Sequence, residues 1–115
     1  MKVYYLHTCN TCRRILKDLD LEGRAELQNL KTDPLTETQL DELYRRTGGS
    51  YEALFNRRSR EYRGRGLHER ELSEADYREL LLDHYSFLKR PILLIGDETY
   101  VGNSKKTVEA ARAAL

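Results

Sequence analysis

The chain has 115 residues, which suits one domain and leaves too little for a second independent core. Hydrophobic residues at 39% allow that core, and charged residues at 34% keep its surface heavily solvated. The 20 Lys and Arg nearly cancel the 19 Asp and Glu, so net charge gives no ground for binding nucleic acid or a membrane, and no run approaches the roughly 20 apolar residues of a span.

Val3 to His7 is short, apolar and β-rich, and reads as a strand rather than as the apolar core of a signal peptide. A cytoplasmic location is therefore expected, where an isolated cysteine pair points to catalysis or metal binding before a structural staple. The strand runs directly into Thr8-Cys9-Asn10-Thr11-Cys12. Helical spacing begins at once, with Cys12, Ile15, Leu16 and Leu19 at i, i+3, i+4 and i+7. Gly23 is the expected stop, and Ala25 to Leu30 the second strand of a β-α-β unit.

The middle of the chain predicts helices. Thr36 with Gln39 forms a capping-box pattern, with Leu40, Leu43 and Tyr44 on one face. Gly48-Gly49 ends that helix, and a short one is expected over Ser50 to Phe55. Ser73 with Asp76 opens a further helix whose stripe is Tyr77, Leu80, Leu81 and His84. Arg57 to Arg70 is polar and glycine-containing, and reads as a loop with at most one helical turn.

Pro91-Ile92-Leu93-Leu94-Ile95 is a buried-strand pattern opened by a proline, which suits a strand start because it cannot donate to a ladder. Gly96-Asp97-Glu98 is the expected turn and Thr99-Tyr100-Val101 the last strand. Lys105 to Leu115 closes as a helix with Val108, Ala111 and Leu115 on one side. The order β-α-β, helical insert (about residues 36–88), β-β-α predicts a single α/β domain over 1–115, with a four-stranded mixed sheet flanked by helices.

A thiol attacks as its thiolate, so a reactive cysteine needs surroundings that lower its pKa. The first turn of a helix supplies them through unpaired amides and the positive end of the dipole. Cys9 falls just before that turn and should reach solvent; Cys12 falls on the apolar stripe and should be buried. Cys9 would then attack a substrate and Cys12 resolve the adduct into a Cys9–Cys12 disulfide. A zinc site would need about two further ligands, and His7, His68 and His84 lack ligand spacing. A structural disulfide and an inert, packed Cys12 remain as simpler alternatives. His7 could serve as a proton donor near Cys9 or as an ordinary strand residue.

Several segments together resemble one family. The opening strand with Cys-Asn-Thr-Cys-Arg-Arg, the linker Thr32-Asp33-Pro34-Leu35-Thr36, Leu54-Phe55-Asn56-Arg57-Arg58-Ser59, Leu88-Lys89-Arg90-Pro91-Ile92-Leu93 and Val101-Gly102 are similar to the ArsC/Spx (arsenate reductase-like) family of thioredoxin-fold proteins. That resemblance implies a thioredoxin/glutaredoxin-like fold, Cys9 as nucleophile, and Arg90-Pro91 as the arginine and proline beside it. One further family arginine falls at Asn56, followed by Arg57 and Arg58, and a third near Gly102, with Lys105 and Lys106 close in sequence. The expected catalytic set is Cys9, Cys12, Arg90 and Pro91. The expected anion-binding set is Arg57, Arg58 and the helix-opening Asn10 and Thr11.

The function implied is a thiol-dependent oxidoreductase acting on a small oxyanion or a thiol/disulfide substrate. No bound metal or organic cofactor is expected, with glutathione, glutaredoxin or thioredoxin as external reductant. Cys9 with Cys12, Arg58-Ser59 and Gly49 are similar to the Spx branch, which implies the alternative of a redox-sensing regulator that contacts RNA polymerase. Direct nucleic-acid binding is not expected, because Tyr62 alone among the Arg57–Arg70 arginines offers a ring to stack on bases.

Overall fold

The computed structural model describes residues 1–115 and divides into two compact units, Met1–Asp33 with Arg90–Leu115, and Pro34–Lys89. The first unit holds β1 (Lys2–Tyr5), α1 (Asn10–Asp18), β2 (Glu26–Asn29), β3 (Ile92–Ile95), β4 (Glu98–Val101) and α5 (Lys105–Ala114). The second holds α2 (Glu37–Arg46), α3 (Arg60–Gly64) and α4 (Glu74–Asp83), with 3-10 turns at Glu52–Leu54, Leu67–Glu69 and Tyr85–Phe87.

The sheet order is β2-β1-β3-β4. β1 and β2 are parallel, as the α1 crossover between them requires; β1 with β3 and β3 with β4 are antiparallel. This is the mixed four-stranded sheet expected from the sequence. β3 sits between two neighbours, and Ile92, Leu93 and Leu94 are all buried, which is why that strand is apolar without alternation. Val3 and Leu93 pack with Ile15, Leu16, Leu19 and Leu21 from the α1 region and Ala111 from α5. Each aliphatic side chain removed from water there contributes about 1.5–3 kcal/mol, and together these residues fix α1 and α5 on the sheet.

α1 ends earlier than the glycine at position 23 suggests. It stops at Asp18, with Leu19 as its cap and Asp20 in the left-handed region at φ 53, a conformation aspartate tolerates better than most residues. The turn drops Leu21 into the core before Gly23 is reached. At the other end of the chain, Ala111 is buried but Leu115 lies beyond the last turn of α5 and is exposed, so only part of the expected stripe packs.

In the second unit both capping boxes form, Thr36 with Gln39 on α2 and Ser73 with Asp76 on α4. Gly48 and Gly49 follow α2 at φ 79 and 80, which terminates it. The helix expected over Ser50 to Phe55 is a single 3-10 turn, its Tyr51 and Glu52 amides held by the two carboxylate oxygens of Glu74 at 2.7 and 3.1 Å.

Two expectations are corrected here. Arg57–Arg70 is more ordered than a loop, since Ser59 caps α3 by accepting from the Glu61 amide at 3.2 Å and a 3-10 turn follows at Leu67–Glu69. His84 is not on the stripe of α4 but just past its end, where its Nδ1 accepts from the Ser86 amide at 3.1 Å and caps the next turn.

Candidate active site

β1 ends at Tyr5, and Leu6 to Cys9 forms the connection to α1. The Cys9 amide donates to the Leu6 carbonyl at 3.0 Å, while the Cys9 carbonyl already accepts from Arg13 at 3.1 Å. Cys9 is therefore the N-cap, in extended conformation at φ −89 and ψ 110. Its sulfur takes the place a serine or threonine oxygen occupies in an ordinary cap and accepts from the Cys12 amide at 3.4 Å.

Burial raises the Cys9 pKa, but the Cys12 amide, a side-chain hydrogen bond from Cys12, the charge of Arg90 and the Thr11 amide outweigh it. The net shift is downward, so the thiolate is favoured. Cys12 behaves oppositely. It is fully buried, and burial, the hydrogen bond to Cys9 and the Cys9 charge push it up to about 12 against the lowering by a Leu6 backbone hydrogen bond and Arg90. The pair thus separates into a more acidic thiol at Cys9 and a less acidic one at Cys12, both unbridged.

Arg90 reaches this place through the sheet register. Tyr4 pairs with Ile92, so the next residues outward are Tyr5 on β1 and Pro91 ahead of β3. Arg90 and the buried Pro91 stand where β1 hands over to the Cys9 turn, and the Arg90–Pro91 peptide is cis. Two contacts that the sequence does not announce hold this corner. The Gly102 amide donates to the Pro91 carbonyl at 2.9 Å, and Asn103 Nδ2 donates to the Arg90 carbonyl at 3.4 Å. Their only sequence signal is a Gly-Asn turn directly after the last strand.

Asn10 and Thr11 form the first turn of α1. The Thr11 amide acts on the Cys9 sulfur, whereas the Asn10 side chain is taken up by Arg13. His7 is exposed and edge-on to Tyr5, its amide donating to Asn29 at 3.2 Å.

Arg57 and Arg58 belong to the other unit. Arg57 donates to the Tyr77 hydroxyl at 2.8 Å, lies over the Tyr77 ring and pairs with Glu52 at 3.6 Å. Arg58 extends an exposed side chain, with its amide on Asn56 Oδ1 at 3.1 Å. Asn56 is committed as well, its Nδ2 donating to the Ser86 carbonyl at 3.3 Å. Cys9, Asn10, Thr11, Cys12, Arg90 and Pro91 all belong to the first unit. No group of three or more His, Cys, Asp and Glu side chains stands ready to hold a metal, and no helix is long and apolar enough to cross a membrane.

A mixed four-stranded sheet flanked by helices, with a cysteine capping the first of them, is a thioredoxin-like fold. A model of the ArsC family matches residues 4–111. The chain belongs to the ArsC family, a thiol-dependent oxidoreductase-like family. The uncharacterized protein YusI of Bacillus subtilis (strain 168) is 29% identical over 102 residues, covering 86% of each chain. The solved YFFB protein superposes with a TM-score of 0.78 at 25% identity over 99% of this chain and 97% of its own. An arsenate reductase from Vibrio cholerae shares the fold, with a TM-score of 0.77 at 19% identity over 100% and 98% of the two chains.

Proposed function

We propose that this chain is a thiol-dependent oxidoreductase in which the Cys9 thiolate attacks an oxyanion or a disulfide and Cys12 resolves the adduct. The observation that carries this is the Cys9 sulfur accepting the Cys12 amide at 3.4 Å in the first turn of α1, with Arg90 charged nearby. Such a sulfur ionises more readily than an ordinary thiol. Cys12 starts as a thiol partly because the Cys9 charge opposes its ionisation. Once Cys9 is bonded to substrate that charge is gone, so Cys12 becomes more acidic at the moment it must attack. The product is a Cys9–Cys12 disulfide, reduced by glutathione, glutaredoxin or thioredoxin, as the cytoplasm supplies them. Asn10 and Thr11 in the first unit, and Arg57 and Arg58 in the second, are each proposed as anion-binding residues, and neither a metal nor a bound organic cofactor takes part.

Turnover with arsenate or a disulfide, in the presence of glutathione and glutaredoxin, tests this against Cys9→Ser and Cys12→Ser. Cys9→Ser should abolish the rate, and Cys12→Ser should trap substrate on Cys9. A parent protein with no rate above background on either substrate class ends the enzyme assignment.

A second assignment, a redox-sensing regulator that binds RNA polymerase, draws on Gly49, which is exposed after α2 at φ 80. It requires that purified RNA polymerase bind the reduced and oxidised proteins with different affinities, and that Cys12→Ser remove the difference. Direct nucleic-acid binding forms no part of either assignment.

A further inference from the structure

Within the first unit a groove of about 250 Å³ opens between α1 and α5. The two helices run the same way along it. Arg14, in the first half of α1, shares one end with Lys105, the first residue of α5. Asp18, the last residue of α1, meets Arg112 from the last turn of α5 at the other end, where Arg112 Nη1 donates to the Asp18 carbonyl at 3.4 Å. Ile15 and Val108 give the groove an apolar floor. Asn103 lines the Arg14 end and donates to the Arg90 carbonyl at 3.4 Å, so that end adjoins the Arg90–Pro91 corner.

The two ends differ in charge. At the far end Arg112 is answered by Glu109 at 3.5 Å, and the Asp18 carboxylate lies beside them. At the near end Arg14 and Lys105 are exposed, and neither enters an ion pair. A helix dipole favours a carboxylate in the first turn and disfavours a cation there. α2, α3 and α4 follow that rule with Glu37, Glu61 and Glu74, whereas neither α1 nor α5 has an acidic residue in its first turn. Positive charge therefore persists at the near end, unanswered by the chain's own carboxylates. The volume decides what can sit there. It falls below the roughly 300–1,000 Å³ that enclose a small organic ligand, and suits side chains of a segment laid across the surface. A run of phosphates would meet Asp18 and Glu109 further along; a segment with its negative charge at one end would not.

We infer that the α1–α5 groove is a docking seat for an acidic peptide segment of a protein partner. The segment's carboxylates meet Lys105 and Arg14, whose planar fork can hold a carboxylate through two hydrogen bonds. An aliphatic side chain of the segment covers Ile15 and Val108. A residue without negative charge lies over Asp18 and Glu109. Docked in this way, the partner stands at the end of α1 that Cys9 caps. Neither thiol takes part in the docking, so the seat does not depend on what Cys9 attacks.

The test is an NMR titration of the isotopically labelled full chain with an N-acetylated, C-amidated peptide reading Glu-Glu-Leu-Ser-Lys. Saturable shifts should centre on the amides of Arg14, Ile15 and Val108, with a dissociation constant at or below about 1 mM in about 50 mM salt. Arg14→Glu/Lys105→Glu should weaken binding about 10-fold or more, because two attractions become two repulsions. Arg14→Gln/Lys105→Gln, which removes the charges without reversing them, should fall between that variant and the parent. Cys9→Ser/Cys12→Ser should bind as the parent does, so a failed oxidoreductase assignment and a failed docking seat give different results. The absence of saturable shifts at these residues by about 5 mM peptide would overturn the seat. So would equal affinity for Gln-Gln-Leu-Ser-Lys. Tighter binding of a single-stranded oligonucleotide to the same residues would assign the groove to nucleic acid instead.

Discussion

The Cys12 amide points at the Cys9 sulfur across 3.4 Å, inside the same turn of helix whose dipole that sulfur caps. One residue thus supplies the donor that stabilises its neighbour's anion while keeping its own thiol protonated. The alkylation rate of Cys9 with iodoacetamide should rise with pH through a midpoint below that of an ordinary thiol. Arg90→Gln should move this midpoint upward and slow alkylation at neutral pH. A midpoint unchanged by Arg90→Gln would remove the guanidinium from the site.

Cys12 makes stability depend on pH in the opposite sense. Its folded pKa lies near 12, against about 8.5 for an unfolded thiol. Between those values the unfolded chain releases the proton and the folded one keeps it, so stability falls as pH rises. Below about pH 8.5 the contribution is flat. Urea unfolding of Cys9→Ser against Cys9→Ser/Cys12→Ala from pH 7 to 10.5 isolates this residue. The gap in stability between the two should narrow steadily above about pH 8.5. A constant gap would mean that Cys12 ionises equally well in both states.

The strands, the capped helices and the thiol at the start of α1 were legible because each rests on local chemistry. Val3 to Leu6 is apolar and β-rich, Thr36 and Ser73 face their partners three residues on, and Cys9 precedes a helical stripe. What was not legible depends on contacts distant in sequence. Arg57 reads from its own segment as an anion-binding arginine, and nothing there signals its bond to the Tyr77 hydroxyl, 20 positions away. The α3 segment looks polar enough for a loop, but Arg65 pairs with Glu61 at 2.9 Å and Asp83 at 2.7 Å, giving its charges a fixed place. Asp20 carries the left-handed turn that sequence rules assign first to Gly23. The β3–β4 hairpin is legible, but the bond it allows from Asn103 to the Arg90 carbonyl is marked by no local pattern.

The Ser73 hydroxyl accepts from the Asp76 amide at 3.2 Å, and the Asp76 carboxylate accepts in return from the Ser73 amide at 2.9 Å. Ser73→Ala leaves the Asp76 amide without its cap and should cost about 1 kcal/mol in urea unfolding. Ser73→Asp keeps an acceptor at the helix start and should recover most of that loss. Failure of the aspartate to rescue would show that α4 is held by packing of Tyr77 and Leu81 alone.

Ser59 and Ser86 share a 2.6 Å hydrogen bond between residues 27 positions apart, and Ser86 also bonds His84 Nδ1 at 2.8 Å. Ser59 is buried at 6% exposure, so its hydroxyl cannot turn to water if the partner is lost. Ser86→Ala should therefore cost about 1–3 kcal/mol, more than an exposed hydroxyl would. Ser59→Ala should cost a similar amount, since it also uncaps α3 at the Glu61 amide. The double variant should be less destabilised than the two single effects added together, because each single change already breaks the bond they share. Strict additivity in that cycle would mean the serines stabilise the segment independently, Ser59 through its cap and Ser86 through His84.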